Sequence, residues 1–163
     1  MRRFILPVLA LALGSAAFAK SPTAAKNLRW PPWLSIESPV NPFDNANHGA
    51  LFLVHALTRE GPSKITDLTG TAQGLVNGVR RTVPIRIDTT PIAGTFAVRK
   101  QWPSEGSWLV QVTLYNTTAL VVLDREGAVA SVRVPTETQK GNQIPRAVAA
   151  KEIDSTLAAA ARR

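Results

Sequence analysis

Two histidines are the residues whose types point most directly to chemistry. His48 and His55 lie seven positions apart, and Asp44 sits close before His48. Imidazole is a good copper ligand, and a carboxylate oxygen can complete a small donor set. On an extended chain seven residues span about 23 Å, so the two rings meet only where the intervening loop curls back. Without metal, His48 is a polar loop residue and His55 a histidine on a strand face. The chain has no cysteine, which excludes thiol nucleophiles, cysteine-held metal clusters and disulfides.

A second set is cationic. Arg80, Arg81, Arg86, Arg99 and Lys100 fall on neighbouring extended segments. Arg86 alternates with Ile85 and Ile87, and Arg99 follows Val98, so both guanidinium groups point outward. Pairing of the two segments would make a positive strip that suits an anionic polymer, a membrane phosphate or an acidic partner. The same charges also serve as a solvated sheet face that discourages edge aggregation.

Enzymatic signatures are missing. There is no Gly-x-Ser-x-Gly elbow, phosphate loop, dinucleotide fingerprint, His-Glu-x-x-His or calcium loop. A serine–histidine–acid triad is not removed by counting, because triads assemble in space. The expectation is a non-catalytic chain without a cofactor. Nucleic acid is not an expected partner, since no aromatic stacking platform accompanies the basic residues.

The first 19 residues have the layout of an export signal. Arg2 and Arg3 precede an apolar run from Phe4 to Leu13, and Ala17-Phe18-Ala19 supplies small residues for cleavage before Lys20. The run is shorter than the roughly 20 residues needed to span a bilayer. Losing Arg2 and Arg3 lowers the formal charge of +8 by two, to +6. The expected location is periplasmic or extracellular, in a bacterium. Residues 20–32 read as a linker.

The residues from 33 onward read as short strands and turns. Trp33 to Glu37 is a strand candidate, and Pro39 to His48 a loop. Ala50 to Leu57 is a nearly continuous apolar run, as in a central strand. Asn77-Gly78 joins Leu68–Val76 to Val79–Ile87 as a hairpin, because a type I′ turn needs positive φ at both central residues. Thr95–Gln101 puts Phe96 and Val98 on one face. Trp108 to Tyr115 alternates Trp108, Val110, Val112 and Leu114 against the rest. Thr118–Asp124 and Ala128–Val134 flank a turn at Glu126-Gly127. That makes about eight strands with the spacing of an antiparallel sandwich or barrel. Gln139–Pro145 reads as loop. Ala147–Ala161 reads as an alanine-rich helix that is marginal alone and docks weakly.

The segment from Gly94 through Trp102-Pro103 and Gly106-Ser107-Trp108 to Val112 resembles a two-strand signature of small bacterial immunoglobulin-like sandwiches. It is most similar to the exported YtkA-like, FixH-like and CopC-like group. The hairpin at Asn77-Gly78 with Val83-Pro84-Ile85 fits the preceding strands of that group, so the resemblance covers about residues 65–115. It implies an extracytoplasmic binding or accessory module. Copper carriers of the group bind metal through an N-terminal histidine, whereas cleavage here leaves Lys20.

The expected architecture is therefore all-β. An immunoglobulin-like sandwich of 7–8 antiparallel strands spans 33–136, followed by a loop and C-terminal helix over 137–163. Its core should contain Phe52 or Leu53, with Ile85, Phe96, Trp108, Val110 and Val112. Trp102 is expected to cap the sandwich end or stay partly exposed. The expected role is a binding module for a protein or envelope partner. The alternatives are copper handling through His48, His55 and Asp44, or anionic-surface binding through the arginine strip.

Overall fold

A computed structural model describes residues 31–61 and 65–162. The signal segment and all of the linker except Pro31 and Pro32 lie outside the described residues. In chain order the strands are β1 (Trp33–Glu37), β2 (Phe52–Leu57), β3 (Leu68–Val76), β4 (Val79–Ile85), β5 (Ile87–Thr89) and β6 (Thr95–Val98). They continue as β7 (Ser107–Leu114), β8 (Thr117–Leu123), β9 (Val129–Arg133), β10 (Thr136–Gln139) and β11 (Asn142–Pro145). Among the described residues one α-helix, α1 (Ala150–Ala160), follows the strands.

The strands form a four-stranded sheet in the order β1-β2-β6-β5 and a five-stranded sheet in the order β4-β3-β7-β8-β9. Every pairing is antiparallel. The alternation of β7 explains how the sheets meet. Trp108, Val110, Val112 and Leu114 turn inward and pack with Ala72, Ala119, Val121 and Leu123 of their own sheet. Leu34, Phe52, Val54, Ala56, Phe96 and Val98 of the other sheet complete the same cluster. The arrangement is consistent with an all-β sandwich.

The outer face of the five-stranded sheet is apolar too. Leu109 and Leu120 alternate outward and pack against Ile153 and Leu157 of α1. All seven residues of β8 are therefore buried, which accounts for its unbroken Ala119–Leu123 run. The helix is fastened more firmly than its alanine content suggests. The Arg146 guanidinium donates two hydrogen bonds to Glu152, at 2.8 and 2.9 Å. Glu152 also accepts from the backbone N–H of Ala149 at 3.0 Å, half of a capping box. Those two interactions, Arg146 first, hold the Glu152 carboxyl down at about 2, and the hydrogen bonds to Glu152 raise the Arg146 guanidinium above its ordinary value.

Three sequence expectations are corrected. The segment 79–87 is not one strand: the Gln101 side chain accepts from the Arg86 N–H at 2.8 Å and donates to its carbonyl at 2.7 Å. With its backbone groups taken, Arg86 leaves the ladder, and the chain passes from one sheet to the other. Gln139–Pro145 is not loop but part of the β10–β11 hairpin, in register from Thr136↔Pro145 to Gln139↔Asn142. Trp102 is buried within the shared core.

Candidate binding surface

The residues read as metal ligands occupy three different settings. Asp44 caps a short 3₁₀ turn, accepting from the N–H of Ala46 at 3.1 Å and the side-chain amide of Asn47 at 2.6 Å. His48 follows that turn and is exposed. His55 stands on β2, on the face away from the core. Its Nε2 lies 2.8 Å from a Glu37 carboxylate oxygen and its Nδ1 3.2 Å from the Thr95 hydroxyl. The carboxylate can only accept, so hydrogen-bond logic places a proton on Nε2 and, in the neutral ring, leaves Nδ1 to accept from Thr95. Both nitrogens are therefore occupied. Among the described residues no group of three or more His, Cys, Asp or Glu side chains could hold a metal ion.

Glu37 and Thr95 escaped the sequence reading as partners of His55. The signal was strand alternation: Ser35↔His55 and His55↔Thr95 are cross-strand pairs, which puts Glu37 on the His55 face. A hydroxyl, an imidazole and a carboxylate in line have the composition of a nucleophile–base–acid relay. Thr95, however, is only 5 % exposed, so its hydroxyl is closed to a substrate. The trio joins β1, β2 and β6 sideways.

The five cations divide between the two sheets. Arg80 and Arg81 stand on β4, paired with Leu75 and Gly74 of β3. Arg80 bonds Asp154 of α1 and, at 2.6 Å, Gln73. Arg86 and Arg99 flank Asp88 on β5, each 2.7 Å from one of its oxygens. The Arg86 contact is one of charge alone, and Oδ1 has no hydrogen bond. Lys100 donates to Ser104 at 2.8 Å. Only 87–89 of the upstream segment pairs with β6, so Arg80 and Arg81 lie on β4 of the five-stranded sheet, while Arg86, Arg99 and Lys100 lie outside the strands, next to β5 and β6 of the other sheet.

The most distinctive surface lies elsewhere. Trp33 at the start of β1 pairs directly with Leu57 at the end of β2. Both side chains face outward, 59 % and 56 % exposed. With Pro31, Thr58 and Arg59 they line an open groove of about 370 Å³. The Thr58 hydroxyl donates to the Gly61 carbonyl at 3.0 Å, fixing the turn that carries Arg59. Isolated exposed apolar residues are ordinary. A large aromatic set against a large aliphatic residue, beside a cation, is a surface able to take up an apolar group with a polar end. A second cavity of about 320 Å³ lies between the end of α1 and the β8–β9 turn, lined in part by Ser107, Asp124 and Ala160. Asp124 is committed there to the N–H groups of Glu126 and Ala128.

No family model, curated protein or solved structure matches this chain.

Proposed function

We propose that the chain is an exported, non-catalytic binding module with an immunoglobulin-like fold, whose working surface is the sheet end at Trp33 and Leu57. Strand order supports the fold reading. The sequence β1-β2-β6-β5 opposite β4-β3-β7-β8 has the order of the A-B-E-D and C′-C-F-G sheets of an immunoglobulin sandwich, with β9 and α1 added. That reading agrees with the resemblance to the exported YtkA-like, FixH-like and CopC-like group. The basic, apolar, small-residue order of residues 1–19 supports export.

The observation that carries the binding role is the Trp33–Leu57 pair. A core that already buries Phe52, Trp102 and Trp108 leaves these two large side chains outside, side by side. A photoreactive residue placed at 33 or 57 and activated in intact cells tests this. Adducts at both sites, with none from residue 43, are expected. Absence of adducts at 33 and 57 overturns the assignment of the surface.

A further inference from the structure

Resting on that reading of the Trp33 end, we propose that its partner is an anionic lipid bilayer, on which the end of the four-stranded sheet lies with Trp33, Leu57 and Ile92 at headgroup depth.

The three residues belong to one end of the sheet. Trp33 opens β1, Leu57 closes β2, and Ile92 sits in the turn between β5 and β6. Thr95, the first residue of β6, pairs with His55. The N–H of Ala56 donates to the carbonyl of Gly94 at 2.8 Å, which brings that turn alongside Leu57. Ile92 is 61 % exposed. The row crosses four strands, a width of about 14 Å. The other exposed large apolar residues are scattered. Phe43 lies in the β1–β2 connection at the opposite end of the sheet, Val79 on β4 and Val132 on β9.

The described residues start at Pro31, and the Thr117 hydroxyl holds the Pro32 carbonyl at 2.9 Å beside β1. The eleven residues before Pro31, from Lys20, include Lys20, Lys26 and Arg29 and no carboxylate. Arg59 adds a cation at the groove, with Glu60 next to it. The sequence just before Pro31 is thus basic, and Pro31 itself lines the groove beside Trp33 and Arg59.

This combination suits a bilayer. Tryptophan sits at the headgroup level with its ring against acyl chains and its N–H in water. Leucine and isoleucine enter the same boundary shallowly, and nearby cations add attraction to anionic lipid. Three side chains in a shallow row fall well short of the roughly 20–30 residues that each partner contributes to a stable protein interface. No described helix is long and apolar enough to cross a membrane.

Vesicle co-sedimentation tests the proposal, using the chain that begins at Lys20 and so keeps every described residue and both cores. Vesicles of phosphatidylcholine alone are compared with vesicles containing phosphatidylglycerol, at low and high salt. Binding to the phosphatidylglycerol vesicles, weakened by salt, is expected. The triple change Trp33→Ser, Leu57→Ser and Ile92→Ser should reduce it by about tenfold or more with the melting temperature unchanged. Phe43→Ser should leave it intact. Absence of binding at low salt, or equal binding by the triple variant, overturns the proposal. If vesicles are ignored while crosslinks from residues 33 and 57 go to protein, the lipid assignment falls and the binding surface stands.

Discussion

Gly74 lies directly beneath the indole of Trp108: a Cβ at residue 74 would come 2.5 Å from ring atoms Cδ2 and Cε3. The two residues are cross-strand partners on β3 and β7. The missing side chain at 74 makes the space in which the ring lies flat, and the indole N–H then reaches the Glu105 carbonyl at 2.7 Å. Gly74→Ala should therefore cost about 1–3 kcal/mol through overpacking, and Trp108→Ala about 3–5 kcal/mol through the cavity it leaves. Together they should cost less than their sum, since the new methyl group then has nothing to strike. Urea unfolding of the two single variants and the double variant measures this, and strict additivity would break the packing relationship.

Glu152 makes the attachment of α1 sensitive to acid. Its carboxyl falls from an ordinary 4.5 to about 2 through the Arg146 hydrogen bonds and the Ala149 N–H. A folded value below the unfolded one adds stability above the unfolded value, and the gain is lost as pH falls through the folded value. Glu152→Gln should consequently be less stable than the parent at neutral pH and equal to it below about pH 2. Unfolding measured at both ends of that window checks the sign. A deficit of the same size at both would show that the carboxylate charge plays no part.

Copper offers a direct test of the histidines. His55 has both ring nitrogens engaged by Glu37 and Thr95, and Asp44 is held by its own cap. Copper titrated into the chain from Lys20 should show no site that depends on His48 and His55 together. Calorimetry with His48→Ala and His55→Ala decides it. One stoichiometric site abolished by either substitution would restore copper handling as the function.

Much of the fold was legible where local chemistry and tertiary packing agree. Asn77 and Gly78 both adopt positive φ, 50° and 76°, as the hairpin expectation required. The inward set of β7 follows its two-residue alternation. The missed hairpin had no such alternation, because all four residues of β10 are exposed. Its turn was nonetheless written in Lys140-Gly141, whose φ values are 51° and 83°. The break at Arg86 was hidden, because it depends on a side chain fifteen residues away. The same limit applies to function. His55 was visible as a strand-face histidine, but its partners depended on which strands lie beside it. Trp33 was read only as the start of a strand. Its exposure emerged from the pairing that set it opposite Leu57 while four other aromatic residues filled the interior.

Oxidative footprinting tests the central claim, that the Trp33–Leu57 end is the working surface, most directly. Trp33 and Phe43 are both exposed, at opposite ends of one sheet, so each serves as the other's control. Hydroxyl-radical labelling is compared between the purified chain and the chain in intact cells that produce it. Protection of Trp33 and Leu57 in the cells, with Phe43 labelled equally in both, is the expected result. Equal labelling of Trp33 in both settings, or protection of Phe43 alone, would contradict it.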